Sequence, residues 1–324
     1  MLIVSANDQK NLVNMNEVIQ CVEVALKEFS ASKTDTPIRT VLPFGNGNSG
    51  LVMPSVAEGL NTMGLKYVTV VPGNKDIGKK AIHGVVLLSD IKTGEPLALL
   101  EGSYLTQIRT GALSGVATKY LARPDAKSLG IIGTGEQAIG LCEAILAVRN
   151  IEVIYLFNRS EQKAYEFAEI VATRFQKEVV VCQNSNEVVR NSDILVTATT
   201  SMEPVFSEEL RPGIHVNAVG SFRPTMQELP TNSICAATKV VVESKEAALE
   251  EAGDLHIPFV EGLFSPEQLH AELGQIVSGE RSGREDDQEI TIFKSVGLAI
   301  ADIVVAQYLY EQAIKSKKGI VVDL

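Results

Sequence analysis

The stretch Leu129-Gly130-Ile131-Ile132-Gly133-Thr134-Gly135-Glu136-Gln137-Ala138 decides the fold. An apolar run breaks into Gly-x-Gly-x-x-Ala and then into a helical pattern that begins near Gln137. That order predicts a strand, a tight turn and a helix start, the phosphate-binding end of a dinucleotide unit. Gly133 permits the turn, Gly135 lets the backbone approach a pyrophosphate, and Ala138 is small enough for the helix to pack closely on the strand. Unpaired N–H groups and the positive end of the helix dipole then face the phosphates, with Thr134, Glu136 and Gln137 in the same loop.

The segment after the turn selects the cofactor. A helix to about Arg149 leads into a second strand, Val153-Ile154-Tyr155-Leu156-Phe157, which ends in Asn158-Arg159-Ser160. NAD-selective sites place Asp or Glu here to accept from the ribose 2′-OH. No acid stands at this position. Asn158 cannot repel a 2′-phosphate, Arg159 can pair with it, Ser160 can donate to it, and Lys163 adds charge within a turn. NADPH is therefore the expected cofactor, with NADH as the second choice.

Alternating pieces continue at 161–174, 179–182, 186–191, 194–197 and 215–219, which predicts a Rossmann-type, doubly wound parallel sheet over residues 121–291. Ligands of such sheets lie beyond the carboxyl ends of the strands, so Thr199, Thr200, Asn217, Val219 and Gly220 are expected to line the cofactor site. Before this domain, 12–32 has helical periodicity with Asn14 or Asn16 as N-cap. Residues 38–100 break into short strand-like runs separated by Gly45-Asn46-Gly47-Asn48, Pro72-Gly73-Asn74 and Lys92-Thr93-Gly94, an antiparallel or mixed sheet. A helix over 105–122 stops at Pro124-Asp125. A last helix over 292–315, strongly apolar on one side, is expected to return to the first domain. The chain thus reads as α/β, with a discontinuous α+β domain (1–120 with 292–324) beside the dinucleotide domain.

A length of 324 residues suits two domains, each with its own core. The formal net charge of −11 and the lack of any basic run argue against a nucleic-acid partner. They also mean that an anionic substrate must be drawn in by a local positive pocket. Cys21, Cys142, Cys182 and Cys235 lack metal spacing and read as reduced core thiols, which with no visible signal peptide or membrane span predicts a cytoplasmic protein. His83, His215, His256 and His270 form no metal or triad pattern. Lys66 interrupts the apolar run Met63-Gly64-Leu65-Lys66-Tyr67-Val68. A charge there is costly unless paired, so it is expected to face a polar cavity. Arg39 follows Pro37-Ile38 at a strand start, and Arg109 lies on the 105–122 helix.

Four blocks in this order resemble the ornithine cyclodeaminase/mu-crystallin family: Leu105-Thr106-Gln107-Ile108-Arg109-Thr110-Gly111-Ala112, the glycine turn at 131–138, His215-Val216-Asn217-Ala218-Val219-Gly220-Ser221, and Thr291-Ile292-Phe293-Lys294-Ser295-Val296-Gly297. The family includes cyclodeaminases, an archaeal alanine dehydrogenase and ketimine reductases of cyclic imino acids, and this chain is most similar to the reductases. The resemblance implies that Arg39, Lys66 and Arg109 hold the substrate carboxylate, that Thr110 contacts the cofactor, and that the protein is a homodimer. Cyclodeaminases carry an aspartate in a block reading roughly Gly-Gly-Asp-Cys-Pro-Gly-Lys-x-Glu-Leu. Alignment on Pro224 and Glu228-Leu229 puts Phe222 in its place. A phenyl ring cannot deprotonate the distal amine for ring closure, whereas hydride transfer survives its presence. The expected reaction is NAD(P)H-dependent reduction of the small-molecule imino acid Δ1-pyrroline-2-carboxylate to L-proline, with the six-membered homologue also accepted. Lys66, directly or through a water, is the candidate proton donor, the alternative being that the ring arrives already as the iminium. Ornithine cyclodeamination, alanine dehydrogenation and non-catalytic NADPH-dependent binding are the alternatives. Lys294 is expected either to pack or start a helix, or to touch substrate.

Overall fold

The computed structural model describes residues 1–45 and 47–323, so Asn46 of the expected turn lies outside the described residues. The chain divides into two compact units, Met1–Arg109 with Leu298–Leu324, and Thr110–Gly297. In the first, β1 (Leu2–Val4), α1 (Ala6–Lys10) and α2 (Met15–Ser30) precede the strands β2 (Thr40–Phe44), β3 (Asn48–Ala57), β4 (Thr62–Val70), β5 (Ile82–Ser89) and β6 (Pro96–Glu101). Asn14, extended at φ −118°, is the N-cap of α2 and accepts from the Asn16 N–H. Helix α3 (Gly102–Leu121) then carries the chain into the second unit.

The second unit begins with β7 (Ser128–Ile132), α4 (Ala138–Val148), β8 (Val153–Phe157), α5 (Glu161–Phe175), β9 (Glu178–Val181), α6 (Ser185–Asn191), β10 (Ile194–Thr197) and β11 (His215–Ala218). Each lies within a residue or two of its sequence expectation. Beyond them come elements that periodicity does not mark: α7 (Thr231–Ala236), β12 (Lys239–Val242), α8 (Lys245–Glu251), α9 (Gly253–Val260), β13 (Leu269–Glu272), α10 (Leu273–Val277) and β14 (Thr291–Lys294). The eight strands pair in the order β13-β12-β14-β11-β10-β7-β8-β9, all in parallel. Chain progression reverses between β7 and β10, the switch point at which such sheets bind ligands. Leu129, Ile131, Ile154, Leu156, Ile194 and Val196 of these strands pack with Leu141, Ile145, Phe167 and Val171 in one buried core.

The chain ends with α11 (Ala299–Ser316) and β15 (Ile320–Val321), both in the first unit. The helix expected over 292–315 is therefore two elements. Its first residues form β14, buried between β11 and β12. Gly297, at φ +95°, separates strand from helix in a backbone conformation that L side chains rarely adopt. The division at 109/110 falls inside α3, and the one at 297/298 comes after β14. The expected boundaries at 120/121 and 291/292 shift accordingly.

The first unit's sheet runs β15-β1-β6-β5-β4-β3-β2. Among the described residues only β1 and β6 pair in parallel. Helix α11 packs against α2 and against β3, β4 and β5. Met53, Lys66, Val68, Val86 and Leu88 are buried, and Gly64 leaves room for Ile303 of α11, whose Cδ1 would lie 2.9 Å from an added Cβ. The alternate residues Val52, Leu65, Tyr67, Val85, Leu87 and Leu99 share the other face by cross-strand pairing and are half-buried or exposed. Of the four free thiols, Cys142 and Cys182 are core residues, Cys21 is intermediate, and Cys235 is exposed, contrary to the expectation of core thiols throughout.

Candidate active site

The glycine turn has the form its sequence predicts. Gly133 takes φ +96°, and its N–H bonds to the Phe157 carbonyl at 2.9 Å, which ties the turn to the end of β8. A Cβ at Gly133 would lie 2.7 Å from both the Ala198 oxygen and Thr199 Cγ2, so a side chain there would collide with the end of β10. A Cβ at Gly135 would meet nothing within 4 Å. The backbone there borders open space, as a pyrophosphate requires. Helix α4 starts without a side-chain cap, so its first turn keeps the anion-binding character of a bare amino end. Gln137 Oε1 is buried without a partner and Ala138 is buried. These features fit a dinucleotide.

At the end of β8, Asn158 Oδ1 accepts from the Thr134 N–H at 3.4 Å, and its Nδ2 donates to the Ser160 carbonyl at 3.0 Å. Asn158 therefore joins the glycine turn to the segment that would carry the ribose. Arg159, Ser160 and Lys163 are exposed beyond it. Glu136 and Thr200 are also exposed, Thr199, Val219 and Gly220 are half-buried, and Thr110 is buried on α3.

The carboxyl ends of β10 and β11 are gathered by a residue that sequence alone marks only as an alignment anchor. Glu228 is fully buried. Its carboxylate accepts from Thr197 Oγ1 (3.1 Å) and from the N–H groups of Thr199 (2.6 Å), Gly220 (2.7 Å) and Ser221 (3.2 Å). The Glu228 and Leu229 N–H groups donate in turn to Asp254 Oδ1, and Asp254 Oδ2 lies 2.9 Å from Lys294 Nζ. Lys294 is fully buried on a strand and paired with a carboxylate. Packing describes it, rather than a helix start or substrate contact.

In the first unit, Lys66 and Arg109 converge on one oxygen. Asp302 Oδ1, in the first turn of α11, accepts from Lys66 Nζ at 2.9 Å and from Arg109 Nε at 2.9 Å. All three side chains are buried. Burial pushes the Lys66 pKa down from 10.5, Asp302 pulls it up, and the guanidiniums of Arg109 and Arg39 push it down again, to about 8. Arg39, half-buried ahead of β2, thus acts on the same ammonium. Lys66 and Arg109 on a single carboxylate, with Arg39 close enough to act on the same ammonium, give an acidic protein a local excess of positive charge, which an anionic substrate needs. Sequence alone does not single out Asp302, although a signal is present. Ala299-Ile300-Ala301-Asp302-Ile303-Val304-Val305-Ala306 carries one charge in an apolar run, as does the strand around Lys66.

Phe222 is half-buried, with the Arg223 guanidinium 5.6 Å from its ring centre. No acid occurs between Gly220 and Gln227, and the next, Glu228, is committed to backbone donors. His215 is buried against Thr291 Oγ1 and burial pushes its pKa down to about 3, so it is a neutral core residue. Among the described residues no group of His, Cys, Asp and Glu could hold a metal, and no helix is long and apolar enough to cross a membrane.

Comparison with known proteins identifies the family. The model of the "Ornithine cyclodeaminase/mu-crystallin family" matches residues 1–317. A Bacillus cereus Δ1-pyrroline-2-carboxylate reductase is 65% identical over 320 residues, 98% of each chain. The Thermococcus litoralis Δ1-pyrroline-2-carboxylate reductase, solved with NADH and L-proline, superposes with a TM-score of 0.96 at 41% identity, covering 99% of this chain and 100% of that one. An archaeal alanine dehydrogenase dimer with bound NAD gives 0.93 at 34% identity, covering 100% and 99%. The chain belongs to the ornithine cyclodeaminase/mu-crystallin family.

Proposed function

We propose that the protein reduces Δ1-pyrroline-2-carboxylate to L-proline with a reduced nicotinamide cofactor. The observation that carries this reading is the buried pair Lys66 and Arg109 on Asp302, together with the absence of an acid at Phe222. Arg109, with Arg39, grips the substrate carboxylate through its planar fork. Lys66 lies beside them and gives a proton to the imine nitrogen. The nicotinamide, when bound, supplies the hydride that C2 accepts. Fixing the ring by its carboxylate sets C2 at reacting distance, which is where most of the rate gain arises. The six-membered homologue differs by one methylene, which an apolar pocket discriminates by about 1–3 kcal/mol, so both rings are substrates.

The test is oxidation of NADPH or NADH with the five- and six-membered cyclic imino acids, alongside L-ornithine with NAD. Turnover of the imino acids and none of ornithine is expected. Ammonia release from ornithine without added reductant would replace the reading with cyclodeamination, and no turnover of any kind would leave a binding protein.

The segment Asn158-Arg159-Ser160, with Lys163 nearby, supports a preference for NADPH over NADH. The expected result is a higher kcat/KM with NADPH, lowered by Arg159→Ala towards the value with NADH. A homodimer is supported by the apolar outer face of the first unit's sheet, where Tyr67 and Val85 are 43% and 39% exposed. Sedimentation should give twice the chain mass, and Tyr67→Arg should shift it to the monomer.

A further inference from the structure

We propose that Asp302 is a positioning residue for the reduction, holding Lys66 and Arg109 on one carboxylate oxygen so that the proton donor and the carboxylate clamp keep a fixed separation. The inference rests on the roles proposed for those two cations. Asp302 has no exposed surface, so it cannot touch the substrate and acts through its partners. Both bonds end on Oδ1, at 2.9 Å each. Two like charges that would repel are thereby held on either side of a single anionic atom. Arg109 uses Nε for this bond, which assigns its Nη1–Nη2 edge to the ligand carboxylate. Position 302 in the first turn of α11 also suits an anion, since the positive end of that helix's dipole lies there.

The groups around Lys66 show what the carboxylate does for the chemistry. Its cross-strand neighbours, Met53 of β3 and Val86 of β5, do not titrate. Arg109 on α3 and Arg39 ahead of β2 both disfavour the ammonium, as does burial, while Asp302 on α11 favours it. In the reduction, C2 gains a hydride and the C=N π pair becomes an N–H bond to a proton leaving Lys66 Nζ. The neutral amine that remains is recharged from solvent. Asp302 is the group that keeps this proton available near neutral pH.

The experiment is the pH profile of kcat/KM for the imino acid, and KM for each substrate, in the full-length enzyme. Lys66→Arg places at the donor position an always-charged group that cannot give up a proton, so kcat/KM should fall about a hundredfold or more and the residual activity should lack the basic limb near pH 8. If the limb persists in that variant, the proton-donor role of Lys66 is wrong, independently of Asp302. With that role standing, Asp302→Asn should move the limb down by about a pH unit or more and raise the KM for the imino acid about tenfold, with cofactor KM unchanged. A limb that stays in place in a folded Asp302→Asn enzyme overturns the inference. If that variant does not fold, Asp302→Glu carries the test. It restores the charge but shifts the oxygen by one methylene, so the limb should stay near pH 8 while the imino acid KM rises. An unchanged KM would overturn the inference.

Discussion

At the scale of single residues, two charges in apolar company account for the site. Lys66 was legible because one ammonium in a strand of apolar neighbours demands an explanation. The same reasoning applies to Asp302, but it sits on a helix, and its partner on a strand lies 236 residues away. Pairing of buried charges is a tertiary fact, and sequence spacing does not encode it. Removing either cation should be costly to catalysis. Lys66→Ala and Arg109→Ala are each expected to lower kcat/KM for the imino acid by about a hundredfold or more, measured at pH 7. Arg109→Lys should recover little, because a point charge replaces a planar fork that bonds Asp302 and, in the proposed reaction, the substrate. With Lys66 as the proposed proton donor, kcat/KM of the wild type should be flat below pH 8 and fall about tenfold per unit above it.

At the scale of elements, the Rossmann half from β7 to β11 was almost wholly legible. Most of its strands are largely apolar runs and its turns carry glycine or helix caps, so local pattern and final structure agree. The region from Thr231 to Val277 was not legible. Its helices are short, from α10's five residues to α9's eight, too brief to display a period. The run over 292–315 misled for another reason. Thr291, Ile292 and Phe293 are apolar or β-branched and suit a strand or a buried helix equally, and length favoured the helix. Glu228 shows how a loop contact can set an element's end. Glu228→Gln would turn an amide NH2 towards backbone donors and leave buried groups unpaired, at about 1–3 kcal/mol. The ends of β10 and β11 should then loosen. The expected result in steady-state kinetics is a cofactor KM raised about tenfold, with the imino acid KM within about twofold of wild type.

At the scale of the whole molecule, length predicted two domains and the acidic charge required a concentrated basic spot for an anionic substrate, for which the Lys66–Arg109–Asp302 cluster is the candidate. His215, buried in the second unit, bears on stability. Thr291 Oγ1 donates to the Leu121 carbonyl and accepts from Arg284, so it accepts from His215 Nδ1–H, and the ring stays neutral. An unfolded His215 takes up a proton below about pH 6.5, whereas the folded one resists to about 3. Stability is therefore lost as pH falls through that window, by about 1.4 kcal/mol per unit from this group. Urea titrations between pH 6.5 and 4 should show a shallower loss for His215→Asn than for wild type.

The first unit is assembled from both ends of the chain, with β1 paired to β15 and α11 laid across the middle strands. During synthesis the nucleotide-binding half is complete before α11 has left the ribosome. Asp302 follows the end of β14 by less than a helix's length of chain, so the sheet of the second unit and the carboxylate that ties the two cations are completed almost together. The carboxylate that pairs Lys66 with Arg109 thus reaches the first unit from a segment made after the whole of the second.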